Sequence, residues 1–112
     1  MDEKVLKCLY DIKGAIQEID SFFDGRKKVF AEYSKEIILK RAIERNLEII
    51  GEAVSRILKQ DSNFELENAK RIISLRNRII HGYDSVSDES IWGIVINHIP
   101  KLKVEVEKLI DG

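Results

Sequence analysis

Residues 75–84, LRNRIIHGYD, bring several reactive side-chain types together within one short stretch. Arg76 offers a guanidinium that can hold a phosphate through two hydrogen bonds, and His81 offers an imidazole that can move a proton near neutral pH. Asn77 follows the arginine and can orient either group, while Tyr83 adds a phenol two residues after the histidine. This combination of side chains predicts chemistry on a phosphate group.

The stretch lies at the end of a helix predicted over about residues 64–81. On a helical wheel Arg76 lies at the centre of the apolar face, whereas Asn77 and His81 lie one turn apart on the polar side. A guanidinium on an apolar face must meet a carboxylate, a second surface or an anionic ligand, because burying it alone is very costly. A structural explanation stays open, in which Arg76 pairs with a glutamate and His81 caps the helix end.

Arg76 and His81 are separated by about 140° around a regular helix. One chain would focus both side chains on a single phosphate only if the last turn of the helix unwound. Two chains related by a twofold axis could bring the two groups to one groove. The spacing therefore favours a homodimer that assembles the site.

Three further helices are predicted from the apolar periodicity, at about residues 2–22, 34–59 and 88–110. Helices without strands predict an all-α, up-and-down bundle of four or five helices, formed by a single domain over residues 1–112. The helix at 34–59 has an apolar arc covering about half its circumference, which indicates burial on two sides. A dimer interface would explain this arc, and a helix that is central within one chain is the alternative.

Short-range signals predict where the elements begin and end. Asp24-Gly25 predicts a turn, with a short helical turn after it. Ser62 and Glu65 have the spacing of a capping box, and Gly82 is suited to the left-handed conformation that ends a helix. Ser87 is the predicted N-cap of the last helix, and Pro100 is expected to kink that helix.

Several other residues are assigned structural roles. Asn46, within the apolar arc, is interpreted as a satisfied core amide or a register device, with a role in lining the cleft as the alternative. Three glutamates alternate with arginines and favour a salt-bridged face, although one of them could pair with the arginine of the motif. These are Glu44, Glu48 and Glu52. Cys8 is expected in the core, with a nucleophile as the alternative. Trp92 is expected to anchor the core or an interface, with base stacking as the alternative. His98 lacks partners at metal-binding spacing and is expected to be a surface or core histidine.

Composition narrows the possible classes of protein. The chain has 112 residues, a net charge of −1 and a charged fraction of 35%. General nucleic-acid binders carry a strong positive excess, so any nucleic-acid activity must depend on a local basic patch. The charged N-terminal segment excludes a secretory signal, and no apolar run approaches the ~18 residues of a membrane span. A cytoplasmic protein without metal or cofactor is expected.

The segment Arg76-Asn77-x3-His81-Gly82-Tyr83 resembles the Arg-x4-His-x-Tyr motif of the HepT toxins, a branch of the HEPN superfamily of helical ribonucleases. RAIERNLEIIGEAVSRI at 41–57 and SIWGIVINHIPKL at 90–102 resemble the second and last helices of that family. The similarity extends over almost the whole chain.

The resemblance implies a homodimeric, metal-independent ribonuclease toxin with a HEPN-type fold. Arg76 would bind the scissile phosphate, and His81 would be the general acid/base for attack by the ribose 2′-hydroxyl, with Asn77 orienting His81 or the phosphate. An MntA-type nucleotidyltransferase antitoxin would neutralise the toxin by attaching AMP to Tyr83. RNA, with tRNA as a plausible example, would be the substrate. The alternative is a catalytically silent helical module that binds the nucleotidyltransferase.

Overall fold

The structure is a computed structural model that describes residues 1–82 and 86–112, and all the regular elements within those ranges are helical. They are α1 (Glu3–Ser21), α2 (Phe30–Tyr33), α3 (Ile37–Gln60), α4 (Lys70–Ile80), α5 (Asp88–Gly93) and α6 (Ile99–Asp111), with a π-helical turn (Ile94–His98) between the last two. The predicted all-α bundle is confirmed. None of these helices combines the length and the apolar character that crossing a membrane requires, within the described ranges.

Helix α3 lies at the centre of the bundle. Both α1 and α4 pack against it, and α6 packs against α1. The buried residues of α3 are Leu39, Ile43, Asn46, Leu47, Ile50, Gly51, Ala53, Val54 and Ile57. Each fully buried aliphatic side chain contributes about 1.5–3 kcal/mol relative to exposure. Most of the wide apolar arc is therefore buried within one chain, as the central-helix alternative predicted, while Leu58 near its end stays 37% exposed.

The start of α4 differs from the prediction. The helix begins at Lys70 and not near residue 64, and its N-cap residue, Ala69, makes no side-chain hydrogen bond. Instead, the carboxylate of Glu105 on α6 accepts hydrogen bonds from the backbone N–H groups of residues 67–68, at 2.9 and 3.2 Å. These N–H groups are held in a loop by a residue that is distant in sequence. The capping box predicted at Ser62 and Glu65 is therefore wrong.

The other local signals are confirmed. Gly25 has a φ of +72° and Gly82 a φ of +65°, a conformation that side chains disfavour and that glycine adopts readily. The short helical turn expected after the first loop is α2. The hydroxyl of Ser87 caps α5 by accepting a hydrogen bond from the backbone N–H of Ser90 at 3.1 Å.

Where a kink was expected at Pro100, the structure has a π-helical turn at Ile94–His98, which ends two residues before the proline. Proline has no N–H group to donate, and its ring crowds the carbonyl four residues earlier. A wider turn accommodates both effects while the chain remains helical. Val95 within this turn and Ile99 directly after it both stay buried in the core.

Candidate active site

The site is built around the contact between Arg76 on α4 and Gly51 on α3. Two buried side chains of α4, Ile72 and Leu75, hold the helix on the core. A Cβ atom at position 51 would lie only 2.8 Å from both Cβ and Cγ of Arg76 and 3.0 Å from its Cδ. The aliphatic part of the arginine thus lies directly against the α3 backbone, as its predicted place on the apolar face requires.

The guanidinium of Arg76 is only partly satisfied by the protein. Its Nη1 donates a hydrogen bond to Oδ1 of Asn77 at 3.2 Å. Its Nε is buried and has no hydrogen-bond partner among the residues that the structure describes. A planar guanidinium held in this way retains N–H groups that can bind an anion.

The carboxylates of α3 do not neutralise Arg76. Glu44, Glu48 and Glu52 pair instead with Arg41, Arg45 and Arg56, at 2.8, 3.4 and 2.6 Å. The predicted salt-bridged face is therefore confirmed. The idea that one of these glutamates pairs with Arg76 is wrong, since residues 1–82 and 86–112 contain no ion pair to that arginine.

His81 is the C-cap residue of α4 and is exposed. Its backbone N–H donates to the carbonyl oxygen of Asn77 at 3.1 Å, which completes the last turn of the helix. Asn77 therefore contacts both residues of the motif: its side chain accepts a hydrogen bond from Arg76, and its backbone carbonyl accepts one from the N–H of His81. Within one chain α4 stays regular to Ile80, so the last turn does not unwind to bring the arginine and the histidine to one point.

Tyr83 lies outside the described residues. Beyond it, the chain is fixed at the first turn of α5, where the carboxylate of Asp88 accepts a hydrogen bond from Lys40 of α3 at 3.2 Å. This ion pair joins two helices whose residues are 48 positions apart in sequence. The first described residues after the motif are therefore anchored to the same helix that supports Arg76.

The remaining candidates lie elsewhere in the fold. Cys8 is buried in α1, as expected. Trp92 packs against Phe23, Phe30 and Tyr33 with ring centroids 4.9–6.2 Å apart, so it anchors an aromatic cluster. Among the described residues no group of three or more His, Cys, Asp or Glu side chains is arranged to hold a metal ion.

Asn46 is buried and only partly satisfied. Its Nδ2 donates to the carbonyl oxygen of Ala42 at 3.0 Å and to Oε1 of Glu18 at 3.4 Å. Its Oδ1 is buried and finds no partner within the described residues. The interpretation as a fully satisfied core amide is therefore only half correct. Asn46 lies at the α1–α3 contact, on a different helix from the motif.

Sequence reasoning did not identify Gly51 as part of the site. Its residue type alone could have indicated a special role, because a glycine in the interior of a long helix destabilises that helix by about 0.5–1 kcal/mol relative to alanine. A glycine in this position often marks a close approach of another chain segment. Which segment approaches could not be predicted, since that depends on how α4 packs on α3.

Comparison with known proteins agrees with this architecture. The family described as ribonuclease HepT-like matches residues 12–109 of the chain. A Methanocaldococcus jannaschii protein named "putative RNase" is 35% identical over 103 residues, which cover 91% of this chain and 84% of that protein. A Caldanaerobacter subterraneus protein, also named "putative RNase", is 32% identical over 101 residues, 86% of this chain and 88% of its own.

A third relative, from Thermococcus cleftensis, is named "probable ribonuclease HepT" and is 34% identical over 102 residues, 90% of this chain and 91% of that protein. No solved structure gives a significant match. The family match covers most of the chain, including the α3–α4 contact and the motif from Arg76 to Tyr83. The chain therefore belongs to the HepT-like family of ribonucleases.

Proposed function

We propose that this chain is the toxin of a HepT/MntA toxin–antitoxin pair and that it cleaves RNA, with tRNA as the expected substrate, in the cytoplasm. The observation that carries the proposal is the arrangement at the end of α4. Arg76 lies against Gly51, and its Nε has no partner among residues 1–82 and 86–112. Its Nη1 donates to Asn77, whose backbone carbonyl accepts from the N–H of His81. A phosphate binder and a proton carrier are thereby attached to one rigid helix end.

The reaction that suits these groups is attack by the ribose 2′-hydroxyl on the adjacent phosphorus. One His81 takes the proton of the hydroxyl while the new oxygen–phosphorus bond forms. The bond from phosphorus to the 5′-oxygen breaks, and the leaving oxygen receives a proton from the imidazolium of the partner's His81. Arg76 stabilises the charge that develops on the phosphate, and Asn77 orients Arg76. The products are a 2′,3′-cyclic phosphate and a 5′-hydroxyl, and no metal or cofactor takes part.

Two protomers are needed in this proposal because Arg76 and His81 diverge on one helix. Ile80 supports the idea, since it lies one turn after Arg76 on the same side of α4 and is 53% exposed. In the proposed dimer a second copy would cover this isoleucine, which lies between the two groups. Analytical ultracentrifugation tests this point directly: a dimer is expected, and a monomer at micromolar concentration contradicts it.

Regulation in this proposal acts through Tyr83. An MntA-type nucleotidyltransferase partner would transfer AMP to the phenol oxygen, with pyrophosphate leaving from ATP. The added phosphate repels RNA from a site built to bind phosphate. Intact mass spectrometry after co-expression with the partner is expected to show AMP adducts that are absent from Tyr83→Phe. Adducts that persist in that variant contradict this assignment.

The experiment that tests the ribonuclease mechanism is cleavage of a total tRNA pool by purified protein in EDTA. Wild type is expected to release 2′,3′-cyclic phosphate ends, whereas Arg76→Ala and His81→Ala are expected to be at least about 100-fold slower. A matched control is Arg41→Ala, because Arg41 is exposed and paired on α3. Wild-type protein that binds the nucleotidyltransferase tightly and cuts no RNA would favour the catalytically silent module.

A further inference from the structure

A groove runs between α4 and the segment formed by α5 and the π-helical turn. Its open cavity measures about 280 Å³. The residues that line it are Arg71, Ser74, Leu75, Arg78, Ser90 and Ile94. Leu75 and Ile94 are buried and form the apolar floor, while two arginines and two serine hydroxyls form the walls. The groove is thus a polar and cationic channel on a rigid base.

The polar residues of this groove form a stripe that leads to His81. With Arg71 at zero, Arg78, Ser74 and His81 all fall within about 80° on one side of α4. The stripe extends for about 15 Å along the helix axis. Arg76 points to the opposite side, against α3. An RNA strand leaving His81 along α4 would therefore pass Arg78 first and Arg71 next.

The groove arginines differ from the arginines of α3 in their ionic partners. In the part of the chain that the structure describes, neither Arg71 nor Arg78 forms an ion pair. Arg41, Arg45 and Arg56 of α3, by contrast, are each paired with a glutamate. Helix α4 has no acidic residue of its own, and within residues 1–82 and 86–112 no ion pair neutralises its two groove arginines.

Arg71 also lies close enough to His98 for its charge to act on the protonation of that histidine. His98 lies at the end of the π-helical turn, and burial lowers its pKa below the ordinary value of 6.5. The positive charges of Arg71 and Lys101 lower that pKa further. The cationic surface thus continues from Arg71 onto the start of α6, which extends the stripe away from His81.

We propose that this groove binds the phosphodiester backbone of RNA on one side of the cleaved bond. Arg78 and Arg71 each contact a phosphate, and the hydroxyls of Ser74 and Ser90 donate to phosphate oxygens. The assignment rests on the proposed ribonuclease function and supplies the local basic patch that an overall charge of −1 makes necessary. In this assignment, the groove contacts phosphates that flank the cleaved bond and does not touch the reacting atoms.

The test compares Arg71→Ala/Arg78→Ala with wild type for binding of a fluorescein-labelled RNA of 20 uridines. Both proteins carry His81→Ala so that the RNA stays intact. At about 100 mM salt the double variant is expected to bind about tenfold more weakly. The slope of log Kd against log salt concentration should fall by about 1.4, since each phosphate contact on a single strand contributes about 0.7.

A matched control is Arg41→Ala/Arg45→Ala, which removes the same charge from paired arginines and is expected to change Kd by less than about twofold. Arg71→Lys/Arg78→Lys keeps the charge and should retain the wild-type salt slope. With His81 intact, the groove variant should raise KM and leave kcat within about threefold, which a general loss of structure would not do.

The results separate the two proposals. Wild-type affinity and salt slope in Arg71→Ala/Arg78→Ala would overturn the groove assignment, while inactive Arg76→Ala and His81→Ala would leave the cleavage mechanism standing. If the groove variant instead loses an acidic protein partner and keeps RNA affinity, the groove is a protein-docking site and the assignment is wrong. RNA that is neither bound nor cut by wild type overturns both.

Discussion

The aliphatic part of the Arg76 side chain packs directly against the backbone of Gly51. A Cβ atom added at position 51 would lie 2.8 Å from both Cβ and Cγ of Arg76. Cβ of Arg76 belongs to the backbone geometry of α4, and rotating the side chain does not move it. The separation of α3 and α4 at this point is therefore set by the missing side chain of a glycine. The same contact determines where the guanidinium lies.

Gly51→Ala is expected to push α4 away from α3 and to displace Arg76. Overpacking costs about 1–3 kcal/mol of unfolding free energy, partly offset by about 0.5–1 kcal/mol gained from replacing a helical glycine. RNA cleavage should fall by about 10–100-fold even well below the melting temperature, because misplacement by about 1 Å is enough. Cleavage kinetics and urea unfolding measure the two effects.

Gly14→Ala is the matched control for that substitution. Gly14 lies in α1, and a Cβ there would meet no atom within 4 Å outside the helix's own backbone. This variant is expected to gain about 0.5–1 kcal/mol and to cleave RNA at the wild-type rate. Equal cleavage rates for Gly51→Ala and Gly14→Ala would refute the seating of Arg76 on Gly51.

Asn46 offers a test of a buried amide. Asn46→Leu removes the unpartnered Oδ1 together with the bonds to Ala42 and Glu18, so the unfolding free energy is expected to be unchanged or raised by up to about 1 kcal/mol. Asn46→Asp should lose several kcal/mol, on the order of 3, because it buries a charge. Chemical denaturation measures both. A loss of RNA cleavage by folded Asn46→Leu would instead indicate a role in the cleft.

His98 is expected to make stability dependent on pH. Its folded-state pKa is lowered, so the unfolded chain binds the proton more readily than the folded protein does. Stability is therefore fully present above the ordinary value of 6.5 and falls as the pH drops from there to the folded-state pKa. Urea unfolding of wild type and His98→Gln between about pH 8 and 5 should show this loss only in wild type.

The same histidine reports on the groove. Removing one of the nearby positive charges, in Arg71→Gln, should raise the pKa of His98 in an NMR titration. The rise should be partial, since burial is the larger cause of the shift and persists in the variant. An unchanged pKa would show that the potential of Arg71 does not reach the π-helical turn.

Glu105 is expected to stabilise the start of α4. Its carboxylate accepts three hydrogen bonds from residues 67–68, at 2.9–3.2 Å. Glu105→Ala should cost about 1–2 kcal/mol and speed amide exchange in the first turn of α4. Glu107→Ala is the control on the same helix, since the Glu107 side chain makes no hydrogen bond or ion pair within residues 1–82 and 86–112. Equal stability of the two variants would contradict this role.

Much of the fold could be predicted because its determinants are local. The periodicity of α1 and α3, the cap at Ser87 and the positive φ of Gly82 each depend on a few neighbouring residues. The start of α4 could not be predicted, because the carboxylate that holds the preceding loop comes from Glu105, 37–38 positions away. Capping signals within the segment itself suggested an earlier start.

The same distinction applies to the site. The place of Arg76 on the apolar face of α4 followed from helical geometry and is confirmed. The contact between Arg76 and Gly51 depends on how α3 and α4 pack together, which the spacing of residues along the sequence does not reveal. The width of the apolar arc of α3 was ambiguous for this reason, since a neighbour in the same chain and a neighbour in another chain leave the same pattern.

The π-helical turn at Ile94–His98 has a consequence for chain length. Each of its hydrogen bonds encloses one residue more than a bond in an α-helix, so this turn already holds a surplus residue. Removing one residue there, in a sequence without a proline at position 100, would restore ordinary α geometry while Leu102 and Val106 keep facing inward. The same deletion later in α6 would rotate the remaining residues by about 100° and turn apolar side chains towards water. Natural variation in length should therefore be tolerated in this turn and excluded after it.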